Sequence, residues 1–262
     1  MSAAVVTIPC LSDNYAYLLT CTVTGKTAVI DPSEAEPVLS SAASHKLPID
    51  AIWATHHHPD HVGGVIGVRS ANPDVPVLGH VSDRGRIPEQ TGFLEDGEAF
   101  TFGELSVRVL HIPGHTTGAV AYFVESKDGA PAALFTGDTL FLAGCGRLFE
   151  GTPAMMHASL QKLAALPQAT RVYCGHEYTA SNLRFAAHVE PENDDVKRRA
   201  AEVDAARAAG KVTVPGTLGE ELLTNPFLRT ASVELRKTLG VSPDADAATA
   251  LGQTRAAKDS FR

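Results

Sequence analysis

Residues 55 to 61 read THHHPDH, which places four histidines and one aspartate within seven positions, directly after the apolar run AIWA. If AIWATHHH continues as a strand, its period of two directs His56 and His58 to one side and His57 to the other. Pro59 then turns the chain, so that Asp60 and His61 swing back beside the first pair. The following VGG supplies the small residues a tight strand-to-helix connection needs. A solvent-wetted strand end accounts for one histidine. Four imidazoles and a carboxylate in so short a span point to metal binding.

Three further donors stand in equivalent positions. His115 follows SVRVLHI through PG, Asp138 follows AALFTG, and His176 follows RVYCG. In sheet-based α/β folds, sites collect beyond the carboxyl ends of strands, so these strand ends are expected to converge. His56, His58, Asp60, His61, His115, Asp138 and His176 together offer nitrogen and oxygen only. That is too many ligands for one tetrahedral ion, and structural zinc sites usually draw on cysteine sulfur. Two cations are the natural partition. A carboxylate can bridge where an imidazole cannot, which makes Asp138 the expected shared ligand. Two cations about 3.5–4 Å apart hold a bridging water whose pKa falls toward roughly 7, and the chemistry this supports is metal-assisted hydrolysis.

The rest of the chain frames that site. Up to about residue 177, short runs rich in Val, Leu, Ile, Tyr and Phe (VVTIP, YAYLLTC, TAVID, AIWAT, VPVLG, LSVRVLHI, AVAYFVE, AALFTG, RVYCG) alternate with Gly, Pro, Asp and Asn, the signature of strands. TPAMMHASLQKLAALP reads as a helix, with Thr152 as N-cap, Pro153 at its first position and Pro167 as its stop. Beyond residue 177 strand-like runs give way to segments 178–189, 192–209, 217–223, 231–239 and 246–259, all helical, with Thr217 and Glu220 forming a capping box. The expected organisation is an α/β domain over 1–177 carrying the metal site and a helical domain over 178–262. With 262 residues, 44% of them hydrophobic, the chain can bury a sizeable core. Its net charge of -8 argues against nucleic acid and anionic membranes as partners. No run is long enough to span a membrane and the N-terminus lacks a signal-peptide pattern, so the expected address is cytoplasmic. Cys10, Cys21, Cys145 and Cys174 form no C-x-x-C pair and read as reduced and mostly buried.

The pattern HHHPDH, with His115, Asp138 and His176 downstream, resembles the metallo-β-lactamase superfamily, whose fold is a four-layer αββα sandwich. Within it the chain is similar to the glyoxalase II (hydroxyacylglutathione hydrolase) family over nearly its whole length. The stretches that carry the likeness are LSDNYAYLL, THHHPDHVGG, PGHTTGAVAYF, FTGDTLFLAGCGRLFEGT, YCGHEYTASNLRFAAHVEP, TVPGTLGEELLTNPFLR and RAAKDSF.

The resemblance implies that His56, His58 and His115 hold one divalent ion and Asp60, His61 and His176 the other, with Asp138 between them. Zinc is the first expectation, iron or manganese the alternatives. It also implies the substrate, the glutathione thioester S-D-lactoylglutathione, cleaved to D-lactate and glutathione by a metal-bridging hydroxide, with Asp60 and Asp138 as the catalytic carboxylates. Family glutathione contacts fall on Arg147, Leu148 and Phe149, on His176, Glu177 and Tyr178, and on Arg255 and Lys258. The last two are three apart on a helix and share a face, as an anion clamp requires. Phe149 stands where many family members have tyrosine, which removes one neutral hydrogen bond worth about 0.5–1.5 kcal/mol. The chain is expected to act as a monomer. A single-iron dioxygenase of the same superfamily is the nearest rival, and the helical tail ending RAAKDSF favours the hydrolase.

Other donors have a plainer reading. His57 is assigned to structure or to orienting a neighbouring ligand. Cys174 is read as buried rather than ligating. Trp53, Tyr15 and Tyr17 are strand and core aromatics. His80, His111, His157 and His188 are lone histidines without a local partner.

Overall fold

The computed structural model of the chain describes residues 3–125 and 129–261, which divide into two compact units: residues up to 111 with 118–137, and 112–117 with 138 onward.

The first unit is built on two sheets. One runs β1 (Ala3–Cys10), β2 (Asn14–Cys21), β3 (Thr27–Ile30), β4 (Ala51–Trp53), β5 (Val77–His80) and β6 (Gly92–Leu94) in spatial as well as chain order. Its first three strands pair antiparallel through short turns, and β3 to β6 pair parallel. Parallel neighbours need crossovers: helix α1 (Ala35–His45) supplies the one from β3 to β4, and α2 (Pro59–Val62) with α3 (Val65–Ala71) the one from β4 to β5. The buried faces of α1 and α3, Val38, Ala42, Val65 and Val68, pack with Leu18, Val29 and Ile52 of the sheet in one apolar cluster. The other sheet is an antiparallel meander of β7 (Ala99–Phe102), β8 (Leu105–His111), β9 (Val120–Val124) and β10 (Ala133–Gly137).

Aromatic contacts join the two sheets. The fully buried Trp53 meets Phe100 and Phe102 edge-on, at 5.3 and 5.2 Å, and lies 5.1 Å from Tyr122. Tyr17 meets Phe135 at 5.5 Å. Burial of such rings contributes roughly 1.5–3 kcal/mol each. The core reading of Trp53 and Tyr17 holds.

The second unit carries two short ribbons, β11 (Leu140–Phe141) with β12 (Gly144–Cys145) and β13 (Arg171–Cys174) with β14 (Gly216–Thr217). Around them lie α4 (Pro153–Ala164), α5 (Thr179–Val189), α6 (Asp194–Ala208), α7 (Leu218–Thr224), α8 (Val233–Leu239) and α9 (Ala247–Ser260). Local chemistry sets these limits. Thr152 caps α4 by accepting from the Met155 N–H, with Pro153 at N1. Thr217 and Glu220 exchange hydrogen bonds in the capping box expected for α7. Among the described residues no helix is long and apolar enough to cross a membrane.

Two expectations change. The strand AIWAT stops at Trp53, because the next ladder position is taken by a side chain: the Thr55 N–H donates to Asp31 Oδ1 at 2.7 Å. His80 and His111, read as lone, are each other's partner. Their rings stack at 4.1 Å with 7° between planes, and burial, with the neighbouring imidazole, pushes His80 down to about 4.

Candidate metal centre

In the first unit the donors sit on the loop after β4 and on the four-residue α2. Although residues 55–58 are not a strand, their side chains sort as alternation foresaw. His56 lies 4.7 Å from His58 and 4.2 Å from His61, ring to ring. His57 turns away to Asp83, at 3.0 Å, and to Arg86. A carboxylate only accepts, so His57 Nδ1 carries the proton and its Nε2 accepts from the guanidinium. Pro59 opens α2, and the backbone folds back hard behind it. A Cβ on Gly64 would stand 2.6 Å from the Glu34 carbonyl carbon, so only glycine fits there.

Asp31, at the carboxyl end of β3, organises this donor set. Its Oδ2 accepts from His61 Nδ1 at 3.0 Å and from the Thr55 hydroxyl at 2.6 Å. The Thr55 proton is thereby spent, so its oxygen accepts from His56 Nδ1 at 3.1 Å. Both imidazoles are fixed as the Nδ1–H tautomer and present Nε2 lone pairs. His61 Nε2 lies 3.7 Å from Asp60 Oδ2. Asn14 donates to that same oxygen at 3.0 Å and to the Asp60 carbonyl at 3.1 Å. Sequence reasoning passed over Asp31, Thr55 and Asn14. The rule that picked out Asp138 and His176, a donor just beyond a strand's carboxyl end, would have picked out Asp31 as well.

In the second unit His115, Asp138 and His176 come together although 61 residues separate the first from the last in the sequence. Asp138 Oδ2 is 3.5 Å from His115 Nε2 and 3.3 Å from His176 Nε2. His115 Nδ1 donates to the Arg147 carbonyl at 2.8 Å, so its Nε2 is again the lone-pair nitrogen. Gly146 lets the loop close over this site: a Cβ there would stand 2.0 Å from the Asp138 carbonyl and 2.8 Å from His115 Nδ1.

The donor chemistry fits divalent cations. A lone pair facing a carboxylate oxygen, as His115 and His61 each do, is an arrangement that a bound cation makes favourable. His56, His58, Asp60 and His61 in the first unit, and His115, Asp138 and His176 in the second, are all of residue types that ligate divalent ions. Cys174 is not such a donor. Burial pushes its thiol up to about 12, and it donates to the His176 carbonyl. All four cysteines are free and buried.

The remaining residues named from the sequence have distinct surroundings in the second unit. Tyr178 stacks on His176 at 4.7 Å with 5° between planes. Phe149 is 63% exposed and meets His115 edge-on. Leu148 follows Arg147 on the same half-exposed loop. The Glu177 carboxylate accepts from the Thr213 N–H and hydroxyl, at 2.9 and 2.7 Å, and so secures the segment before β14. On α9, Arg255 is buried, donates to the Cys145 carbonyl at 2.8 Å and pairs with Asp259 at 3.0 Å. Its Nε has no acceptor among the described residues. Lys258 donates to the Ser181 carbonyl at 3.0 Å. Burial, with Arg255 and Arg184 adding like charge, pushes its ammonium down to about 8.

Comparison with known proteins bears on the class first. The metallo-beta-lactamase superfamily model matches residues 12–176. The crystal structure of BLEG-1 B3 metallo-beta-lactamase superposes with a TM-score of 0.64 at 26% identity, over 86% of this chain and 99% of that one. The fold is thus the α/β metallo-β-lactamase fold, followed by a helical C-terminal region. A second model, hydroxyacylglutathione hydrolase C-terminus, matches residues 177–261. A hydroxyacylglutathione hydrolase of Synechococcus sp. is 49% identical over 97% of this chain and 98% of its own. TTHA1623, solved in a di-iron-bound form, is 31% identical with a TM-score of 0.58, over 85% of this chain and 98% of that one. The chain belongs to the hydroxyacylglutathione hydrolase family of the metallo-β-lactamase superfamily.

Proposed function

We infer that the chain is a thioester hydrolase acting on hydroxyacylglutathiones, with S-D-lactoylglutathione its substrate and D-lactate and glutathione its products. What carries this reading is that a donor set suited to divalent cations and a hydroxyacylglutathione hydrolase C-terminal segment occur in one chain. In this proposal residues 1–177 supply the metal ligands and 178–262 bind glutathione. His56, His58 and His115 hold one ion, Asp60, His61 and His176 the other, and Asp138 is shared. When bound, two divalent ions, zinc before iron or manganese, polarise the thioester carbonyl and lower the pKa of water from 15.7 toward roughly 7.

The protein's own groups do the rest. Asp31 and the Arg147 carbonyl hold three imidazoles in the tautomer that ligates. Asp60 accepts a hydrogen bond from the attacking water and orients it. The leaving thiolate needs no strong acid, because thiol pKa values lie near 8.5. Arg147, Arg255 and Lys258 hold the glutathione carboxylates, a task an acidic protein must give to a few placed cations. Leu148, Phe149 and Tyr178 supply apolar surface alongside, and Glu177 holds the backbone next to Tyr178. The enzyme acts as a cytoplasmic monomer.

The test is steady-state hydrolysis of S-D-lactoylglutathione against a simple alkyl thioester, on protein of measured metal content. A large preference in kcat/KM for the glutathione ester is expected, and equal rates on both would refute the substrate class. A second expectation follows from Lys258. As pH rises through about 8 its ammonium deprotonates, so affinity for the anionic substrate falls: KM should climb several-fold between pH 7 and 9.5. In Lys258→Arg, which stays charged throughout, that rise should disappear. A KM flat with pH in the parent protein would remove Lys258 from the clamp.

A further inference from the structure

Asn14 is the first residue of β2, reached from β1 through a tight turn in which Leu11 takes a left-handed φ of 49°. It is buried, 4% exposed. Both protons of its side-chain NH2 go to one residue, the Asp60 carbonyl at 3.1 Å and Asp60 Oδ2 at 3.0 Å. The first bond has a local cause. In a longer helix the Asp60 carbonyl would receive the N–H of Gly64, but that N–H is drawn to the Pro32 carbonyl, and Asn14 takes its place.

The second bond has no such structural need. The Asp60 side chain is 39% exposed, and water could satisfy its carboxylate. Left to solvent, a carboxylate on a four-residue helix samples several rotamers. Held at its backbone oxygen and at one carboxylate oxygen by the same rigid amide, Asp60 keeps a single plane, with Oδ2 toward His61.

We propose that Asn14 is a positioning residue for Asp60, setting the orientation in which that carboxylate binds metal and orients the attacking water. This rests on the reading of Asp60 as a ligand given above. Loss of such a supporting hydrogen bond typically costs 10–100-fold in metal affinity or activity. The test uses Asn14→Leu, close in size but without donors. Zinc affinity is read by competition with a chromophoric chelator, together with kcat, KM and the melting temperature of the metal-free protein. Expected are a 10–100-fold weaker affinity for the more loosely held ion, a comparable fall in kcat and an unchanged KM. If the leucine variant does not fold, Asn14→Ser, which keeps one donor too short to reach both Asp60 atoms, carries the same expectation. Zinc affinity and kcat within twofold of the parent protein, whatever the melting temperature does, would overturn the proposal and leave Asn14 a turn residue. A parent protein that binds zinc but does not cleave the thioester would instead defeat the substrate assignment, leaving the zinc arm to decide the role of Asn14.

Discussion

Asp138→Ala is expected to leave the chain with at most one tightly held divalent ion and to lower kcat for S-D-lactoylglutathione by well over about a hundredfold, more than the loss of a supporting hydrogen bond costs. Asp138 Oδ2 faces both His115 Nε2 and His176 Nε2, at 3.5 and 3.3 Å. Alanine leaves those two imidazole nitrogens without the negative charge that, with a cation, balances the site. It also removes the only one of the proposed ligands assigned to both ions. Metal content by elemental analysis, with single-turnover rates, decides the matter. A folded Asp138→Ala protein carrying two ions and turning over normally would refute the shared-ligand role. The substitution should spare the fold, since Asp138 lies at the end of β10 and its side chain is engaged by the donors rather than by the core.

The second large effect lies away from the donors. Glu221, fully buried on α7, pairs with the buried Arg199 of α6. Its other oxygen accepts from the Ala143 N–H at 2.7 Å and from Asn225 Nδ2 at 2.9 Å. Ala143 holds a left-handed φ of 55° at the tip of the β11–β12 ribbon, and Asn225 also donates to the Phe141 and Gly144 carbonyls. One carboxylate therefore secures the loop that leads from Asp138 to Arg147. Glu221→Ala strands a buried guanidinium and a backbone N–H, at a cost of about 3–5 kcal/mol. The melting temperature should fall by on the order of 10 °C. Replacing both partners, Arg199→Met with Glu221→Leu, should recover most of that loss, because no charge is left buried alone. If the single variant melts within about 2 °C of the parent, the pair contributes no more than a surface ion pair would.

Much of this was open to reading before any coordinates. The caps Thr152 and Thr217, the helix limits after residue 177 and every strand of the first sheet up to β5 follow from short-range rules that act within a few residues. The donors, too, were legible, because imidazoles and carboxylates at strand ends are costly to place without a purpose. What escaped was of another kind. Asp31 looks like an ordinary strand terminus, and only its position beside Thr55 and His61 shows that it sets two imidazole tautomers. His80 and His111 are 31 residues apart in the sequence, and nothing local reveals that their rings stack. Arg255 was legible as a basic residue on the last helix, but not as a buried one that donates to the Cys145 carbonyl, 110 residues away.

The sequence by itself determined which residues have the chemistry to bind metal and to hold anions, and which segments coil or extend, since both are properties of side chains and their near neighbours. Tertiary structure alone decided which nitrogen of His56, His57, His61 and His115 carries the proton, which groups those imidazoles meet, and which of the basic residues are buried. Those outcomes depend on hydrogen bonds and desolvation between groups far apart in the chain, and spacing along it carries no record of them.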